Sequence, residues 1–223
     1  MSAQGIDDPH TRPHFASAAL VTIDVQNDFL SDSPYGIPGT TEVLPALRSA
    51  VSAFRSAGRP VIHIVRLYDP TSGDVDLVRR GLIGSGVRIA VPGSHGSGLA
   101  PGLAPDDAPE LDAELLLSGR PQRLGPAEYA VFKPRWGAFY RTPLQDLLTE
   151  LGVDTVVFAG CNLPNCPRAS IFEASERDYR VGLITDAVSR VTDSALSEIG
   201  GIGVRLLTVS ELSSHLTPAG AHP

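Results

Sequence analysis

The chain has 223 residues, enough for one domain, and its 42% hydrophobic and 19% charged content excludes a largely disordered protein. Its formal net charge of −7 argues against nucleic acid or an anionic membrane surface as the main partner, since both require a basic surface. No apolar run approaches the roughly 20 residues that cross a bilayer, and the N-terminus lacks signal-peptide character. We therefore expect a cytoplasmic protein that acts on a small molecule, and its negative charge is compatible with a neutral or a cationic substrate.

Strand and helix patterns alternate along the chain. Strands are predicted at 19–23, 60–66, 128–133, 154–160, 180–187 and 204–209. Helices are predicted at 42–57, 75–82, 142–151, 164–177 and 193–199. This alternation, with short links, predicts an α/β fold of three αβα layers around a mostly parallel, six-stranded, Rossmann-like sheet.

The domain organisation follows from the same patterns. Residues 1–17 are predicted to be a flexible N-terminal arm, 18–212 a single domain, and 213–223 a C-terminal tail. Within the domain, residues 67–127 are rich in Gly, Pro and Ser and are expected to form loops that could supply a lid.

Three reactive residue types follow predicted strands, where the crevice of a parallel sheet lies. Asp24 follows the first strand, although an aspartate there could also be a simple turn or cap. Lys133 ends the third strand and is the sole lysine beside seventeen arginines, which favours a slim, buried ammonium over an accident of composition.

Two cysteines, Cys161 and Cys166, follow the fourth strand. Cys166 falls in the first turn of a predicted helix, whose free N–H groups favour a thiolate and can stabilise an oxyanion. Either cysteine could instead be a small buried apolar residue, so the residues alone leave the two in competition. None of the histidines follows a predicted strand, with His63 in mid-strand and His95 in a glycine-rich loop, so a carboxylate and a lysine are the favoured partners for a thiol.

With these residues in hand, the chain resembles the isochorismatase-like cysteine hydrolases over about residues 16–212. The segments that carry the resemblance, in the family's order, are TIDVQNDF, VFKPRWGAFYRTPL, VVFAGCNLPNCPRASIFEA and ITDAVS. The resemblance implies a general base at Asp24, a catalytic lysine at Lys133 and a nucleophile at Cys166, not Cys161.

The same resemblance implies a mechanism and an assembly. The thiolate attacks an amide-type carbonyl, the backbone N–H groups of Asn162 and Cys166 form the oxyanion hole, and water hydrolyses the thioester. A cis peptide is implied at Cys161–Asn162, and a homodimer or larger homo-oligomer is implied for the assembly.

Some residues depart from the family pattern. The nucleophile loop reads Leu163-Pro164-Asn165-Cys166-Pro167, and Ser170 stands where threonine is usual. The Asp-x-His plus His metal cluster of nicotinamidases has no counterpart, because LYDPTSGD follows the second strand. We therefore expect an enzyme without a metal or another cofactor.

Substrate contacts are predicted from residues near the three strand ends, though Trp136, for one, could equally be ordinary packing. They are Phe29, Tyr68, Trp136, Phe139, Asn165 and Arg168. The acidic stretch 106–114 could attract a cationic substrate, as the streptothricin hydrolase-like members of the family would require. The alternatives are a vinyl-ether hydrolase of isochorismatase type, which does not need the thiol, and a dimeric interaction protein with a relict site.

Overall fold

The computed structural model describes residues 8–69 and 74–216, which form a sheet with helices on both faces. The strands are β1 (Ala18–Ile23), β2 (Val61–Val65), β3 (Gln122–Gly125), β4 (Glu128–Phe132), β5 (Thr155–Gly160), β6 (Arg180–Val188) and β7 (Arg205–Leu207). The helices are α1 (Leu44–Ser56), α2 (Leu77–Gly84), α3 (Ala113–Leu117), α4 (Leu144–Glu150), α5 (Cys166–Ser175), α6 (Asp193–Gly200) and α7 (Val209–His215).

The sheet has the order β3-β4-β2-β1-β5-β6-β7. All neighbouring strands are parallel except β3 and β4, which are antiparallel. The predicted α/β class with a mostly parallel sheet is confirmed, and all six predicted strands are present. The predicted number of strands is wrong, because β3 adds a seventh at the edge.

The buried side chains divide into two main cores, one on each face of the sheet. Along β1, Ala19, Val21 and Ile23 pack in the core that includes α4 and α5, whereas Ala18 and Leu20 pack in the core that includes α1 and α7. A strand buried on both faces favours apolar residues at nearly every position, and the buried Thr22 is the exception in β1. This explains why β1 reads as a nearly continuous apolar run.

Several predicted boundaries need correction. Residues 67–127 contain α2, α3 and β3, so this region has more regular structure than predicted. The predicted domain end at 212 falls inside α7, which begins where a strand was predicted to end. Parts of the predicted arm (1–7), loop region (70–73) and tail (217–223) lie outside the described residues.

Residues before β1 contact the sheet and the last helix. The backbone N–H of His14 donates to Thr155 Oγ1 at 2.9 Å, and its ring Nδ1 lies 2.7 Å from Asp154 Oδ2. The Phe15 ring stacks on His215, with 4.7 Å between ring centroids. These contacts hold the entry to β1 beside β5 and α7.

A chain of polar side chains crosses the buried part of the sheet. His63 on β2 lies 2.8 Å from Thr22 Oγ1 through Nδ1 and 2.7 Å from Glu128 Oε1 through Nε2. Arg55 on α1 donates to both Glu128 oxygens, at 2.7 and 2.6 Å, and to the Leu103 carbonyl. The network joins β1, β2 and β4, the strands that support the candidate site. Mid-strand His63 therefore has a structural explanation.

We expect Glu128→Gln to cost about 3 kcal/mol at neutral pH, because it leaves a buried ion-pair network without its anion. Burial opposes ionisation of Glu128, but hydrogen bonds from Arg55 and His63 and their charges hold its pKa below the ordinary 4.5. A lowered pKa contributes stability above the unfolded value that is lost as the pH falls through the folded value. The difference in unfolding free energy between wild type and Glu128→Gln, measured in urea, should therefore shrink below about pH 4.5.

The exposed Glu150→Gln is the matched control and should leave the unfolding free energy nearly unchanged at every pH. A Glu128→Gln difference that stays constant from pH 7 into the acid range would contradict the role given to the Glu128 charge.

Candidate active site

The ends of β1 and β4 place an acid and an amine at the same edge of the sheet. Asp24 directly follows β1, and its N–H donates to the Ile64 carbonyl at 2.9 Å. Lys133 directly follows β4, and its N–H donates to the Val65 carbonyl at 3.0 Å. In the sheet, β2 lies between β1 and β4, so one strand separates Asp24 from Lys133.

Asp24 and Lys133 form a buried ion pair, with 2.9 Å between Lys133 Nζ and Asp24 Oδ2. Lys133 is 0% exposed, and its Nζ also donates to the Arg135 carbonyl at 3.2 Å. Asp24 has a left-handed backbone with φ of 53°, which is uncommon for a residue other than glycine. Its other oxygen, Oδ1, is buried and makes no hydrogen bond of ordinary geometry with the described residues. One carboxylate oxygen is thus held by the ammonium and the other is open.

The loop after β5 brings Cys166 to this pair. Gly160 ends β5 with φ of 118°, and a Cβ there would lie 2.4 Å from the Ile23 carbonyl oxygen. Only glycine permits this conformation and this approach. The N–H of Cys161 then donates to the same carbonyl at 2.8 Å. Because Ile23 directly precedes Asp24, this bond ties the loop to the end of β1. Cys166 follows as the first residue of α5 and is 9% exposed.

The Cys166 thiol interacts with both members of the ion pair. Its pKa is raised to about 12, chiefly by burial and also by the charge and hydrogen bonding of Asp24, and the charges of Lys133 and Arg66 partly oppose the shift. The thiol is therefore protonated at neutral pH. A protonated nucleophile needs a neighbouring base. The Asp24 carboxylate interacts with the thiol and has one oxygen that Lys133 does not bind, so it can act as that base.

Two backbone N–H groups of the loop are free to bind an anion. Within the described residues, neither Asn162 nor Cys166 donates its N–H to another group. The loop itself is held by the Leu163 N–H on the Ser189 carbonyl at 2.9 Å and by the Asn165 N–H on the Asn162 carbonyl at 3.0 Å. The Cys161–Asn162 bond, where the family resemblance implied a cis peptide, is cis. The Cys166 N–H stands at the N-terminus of α5, where unpaired N–H groups can bind an anion, and the Asn162 N–H belongs to the loop that leads into this helix.

Cys161 has a different environment from Cys166. It is buried in an apolar cluster with Phe29 and Tyr68, and Thr40 Oγ1 donates to its sulfur at 3.3 Å. Burial raises the pKa of its thiol to about 11. These contacts are typical of a structural cysteine.

The predicted substrate-contact residues fall into two groups. Phe29 and Tyr68 are buried around Cys161, and burial raises the pKa of the Tyr68 hydroxyl. Asn165 is half-buried directly before Cys166, and Trp136, three residues after Lys133, is 43% exposed. These four lie on the segments that form the site.

Phe139 and Arg168 have partners elsewhere. Phe139 is buried in the main core, with its ring centroid 5.7 Å from that of Tyr179 and the Arg177 guanidinium 5.0 Å away. Arg168 pairs with Glu198 on α6 at 2.6 Å. We do not include either side chain in the site.

Sequence reasoning missed Arg66, which follows β2 between the two strand ends described above. It is buried, and its charge acts on Asp24 and Cys166. Gln26 holds its backbone: the Arg66 N–H donates to Gln26 Oε1 at 2.7 Å, and Gln26 Nε2 donates to the Arg66 carbonyl at 2.8 Å. The strand-end argument that selected Asp24 and Lys133 would also have selected Arg66.

Residues 108–111 of the acidic stretch, with Glu110 as their acidic residue, line a separate cavity of about 400 Å³. This cavity is also lined by Asn27 and His95, and by none of Asp24, Lys133 and Cys166. Within the described residues there is no group of three or more His, Cys, Asp or Glu side chains suited to a metal ion, and no helix long and apolar enough to cross a membrane. The expectation of a metal-free, cofactor-free enzyme stays a prediction.

The chain is similar to known proteins over most of its length. Residues 18–208 match the model of the isochorismatase domain. The chain is 31% identical to a probable inactive nicotinamidase of Arabidopsis thaliana, over 90% of this chain and 96% of the relative. It is 28% identical to the ureidoacrylate amidohydrolase RutB of Methylobacterium radiotolerans, over 81% of this chain and 70% of the relative.

Among solved structures, the chain is similar to a protein of the same family from Desulfovibrio vulgaris. The TM-score is 0.75 at 28% identity, and the match covers 89% of this chain and 97% of the other.

Proposed function

The chain belongs to the isochorismatase family, and from this premise we propose that it hydrolyses an amide-type C–N bond of a small molecule with Cys166 as the nucleophile. The family's amidohydrolase relatives support hydrolysis of a carbon–nitrogen bond. A relative named for ureidoacrylate favours amides and carbamoyl groups as the substrate class. Cyclic amides belong to the same chemistry.

The observation that carries this proposal is the buried Asp24–Lys133 ion pair, 2.9 Å long, whose charges act on the Cys166 thiol. An isolated buried carboxylate would tend to become protonated, and a neutral acid is a poor base. The Lys133 ammonium favours the ionised carboxylate. The ion pair therefore keeps a base beside a thiol that is protonated at rest.

The proposed reaction has two steps. Asp24 accepts the thiol proton as the Cys166 sulfur attacks the substrate carbonyl, and the carbonyl oxygen becomes an oxyanion held by the N–H groups of Asn162 and Cys166. When the oxyanion collapses, the C–N bond breaks, and the amine leaves with the proton that Asp24 returns. Water then attacks the thioester and gives a proton to Asp24, the C–S bond breaks, Asp24 returns the proton to the departing sulfur, and the acid product is released.

Mass spectrometry of quenched turnover tests this proposal. The protein is mixed with a panel of amides, cyclic amides and carbamoyl compounds, ammonia or amine release is followed, and active mixtures are acid-quenched. We expect an added acyl mass on Cys166, with Cys161 unmodified as the internal control. Release of a ketone or enol from a vinyl ether without acylation would instead indicate isochorismatase-type chemistry.

Absence of turnover over the whole panel, with no acyl mass on Cys166, would indicate a relict site in an interaction protein. The relative described as a probable inactive nicotinamidase makes this outcome worth testing directly. We further propose a homodimer or larger assembly in the cytoplasm, which sedimentation and fractionation would test.

A further inference from the structure

Two side chains of α5 hold the segment that follows β4. Ser170 Oγ accepts a hydrogen bond from the Ala138 N–H at 3.0 Å, and Glu173 Oε2 accepts one from the Phe139 N–H at 2.8 Å. Ser170 and Glu173 are three positions apart, so they lie on the same face of the helix. A Cβ at Gly137 would overlap the Glu173 carboxylate, so glycine at this position lets the segment come this close to α5.

Ser170 also binds the backbone of the proposed nucleophile. Its hydroxyl donates to the Cys166 carbonyl at 2.7 Å. A hydroxyl can donate and accept at the same time, so one oxygen atom links the first turn of α5 to Ala138. The Ser170 side chain is 0% exposed. The residue that carries the thiol and the segment after β4 are therefore joined by a direct, buried bridge.

The same segment determines where the Lys133 ammonium lies. Lys133 directly follows β4, and its Nζ donates to the Arg135 carbonyl at 3.2 Å as well as pairing with Asp24 at 2.9 Å. Arg135 is three residues before Ala138, so a shift of the segment away from α5 would move this carbonyl. A displacement of about 1 Å in a catalytic group can lower a rate by about 100-fold.

We propose that Ser170 and Glu173 are positioning residues, which set the Lys133 ammonium relative to the Cys166 sulfur by holding the segment after β4 against α5. This inference rests on the proposed function and adds residues that act through its catalytic groups. It also explains a hydroxyl at a fully buried helix position. Alanine at 170 would leave the Ala138 N–H buried without its acceptor, which favours a shift of the segment.

The first test is turnover of the best amide found in the substrate panel. We expect Ser170→Ala to lower kcat by about 10- to 100-fold. KM should change much less, because a fully buried Ser170 does not contact the substrate. Ser170→Thr keeps the hydroxyl and should keep most of the turnover. The matched control is Ser49→Ala, since the exposed Ser49 donates to the Pro45 carbonyl in α1 at 3.0 Å, the same bond within a helix that Ser170 makes.

The second test observes Lys133 directly. It is the sole lysine of the chain, so protein made with isotope-labelled lysine gives the signals of one lysine side chain in an NMR spectrum. We expect the Lys133 methylene signals to shift in Ser170→Ala and in Glu173→Ala. They should stay near their wild-type positions in Ser170→Thr and Ser49→Ala. The urea midpoint checks folding, and Glu173→Ala, at a half-buried position, replaces Ser170→Ala in both tests if the latter does not fold.

Wild-type kcat in the folded variant would overturn the positioning role and leave the proposed function standing. A lowered kcat with the Lys133 signals unmoved would also overturn it, because the loss would then not act through Lys133. Absence of turnover by wild type across the whole panel would overturn the proposed function, and this inference with it.

Discussion

Cys166→Ala should lower kcat/KM on the best amide substrate by about 10⁴-fold or more, because the covalent pathway loses its nucleophile. Asp24, Lys133 and the free N–H groups of the loop would remain, so only slow, direct attack by water is left. The substitution removes one sulfur atom from the first turn of α5 and keeps the helix. Steady-state release of ammonia or amine measures the loss, and the urea midpoint checks that the variant folds.

Cys161→Ala is the matched control for this variant. Its sulfur accepts one hydrogen bond, from Thr40, and otherwise packs against apolar side chains. We expect a much smaller loss of activity than for Cys166→Ala. Wild-type turnover in Cys166→Ala would show that the reaction does not pass through a thioester and would favour vinyl-ether chemistry.

Much of the candidate site could be predicted from the sequence because its residues stand at strand ends. Asp24 and Lys133 each follow a strand whose apolar run is easy to recognise, and parallel strands bring such ends to one edge. The pairing itself, 2.9 Å between Nζ and Oδ2, depends on β2 lying between β1 and β4. Local sequence patterns do not determine the order of strands in a sheet. The prediction that Asp24 and Lys133 act together therefore came from the family resemblance and not from periodicity.

The choice between Cys161 and Cys166 shows the same limit. Both sulfurs are buried, and burial raises the pKa of both thiols. They differ in their neighbours: the charge of Lys133 acts on Cys166, whereas Cys161 accepts from Thr40, 121 positions earlier in the chain. Contacts at that separation cannot be inferred from composition or spacing.

The missed elements have identifiable causes. The edge strand β3 has four residues, one of them glycine, and its pattern is too short to distinguish from a loop. The sixth predicted strand includes the start of α7, because the segment VRLLTV is rich in β-branched and apolar residues. A signal was present, since Thr208 and Glu211 form a capping box, with the Glu211 N–H donating to Thr208 Oγ1 and the Thr208 N–H to Glu211 Oε2.

Asp24→Asn should separate ionisation of the thiol from catalysis. We expect turnover to fall by about 10²–10⁴-fold, the usual contribution of a general base. The pKa of Cys166 should fall, because the charge of Asp24 and its hydrogen bonding raise it, whereas the positive charges of Lys133 and Arg66 lower it. The variant would then hold more thiolate than wild type at a given pH and yet turn over more slowly. The pH dependence of iodoacetamide labelling measures the first effect, and amide hydrolysis measures the second.

The buried Lys133 loses its anion in this variant, so the double variant Asp24→Asn/Lys133→Met tests the same point where the single one does not fold. Its Cys166 pKa should still lie below that of wild type, because the effect of the Asp24 charge exceeds that of Lys133. The exposed Asp107→Asn should change neither property. Alkylation of a protonated thiol also releases its proton, so the comparison uses the Cys166 pKa obtained from the pH dependence of labelling, not the labelling rate at one pH. Turnover at the wild-type rate in either variant would contradict the role of Asp24 as the base that takes the thiol proton during attack.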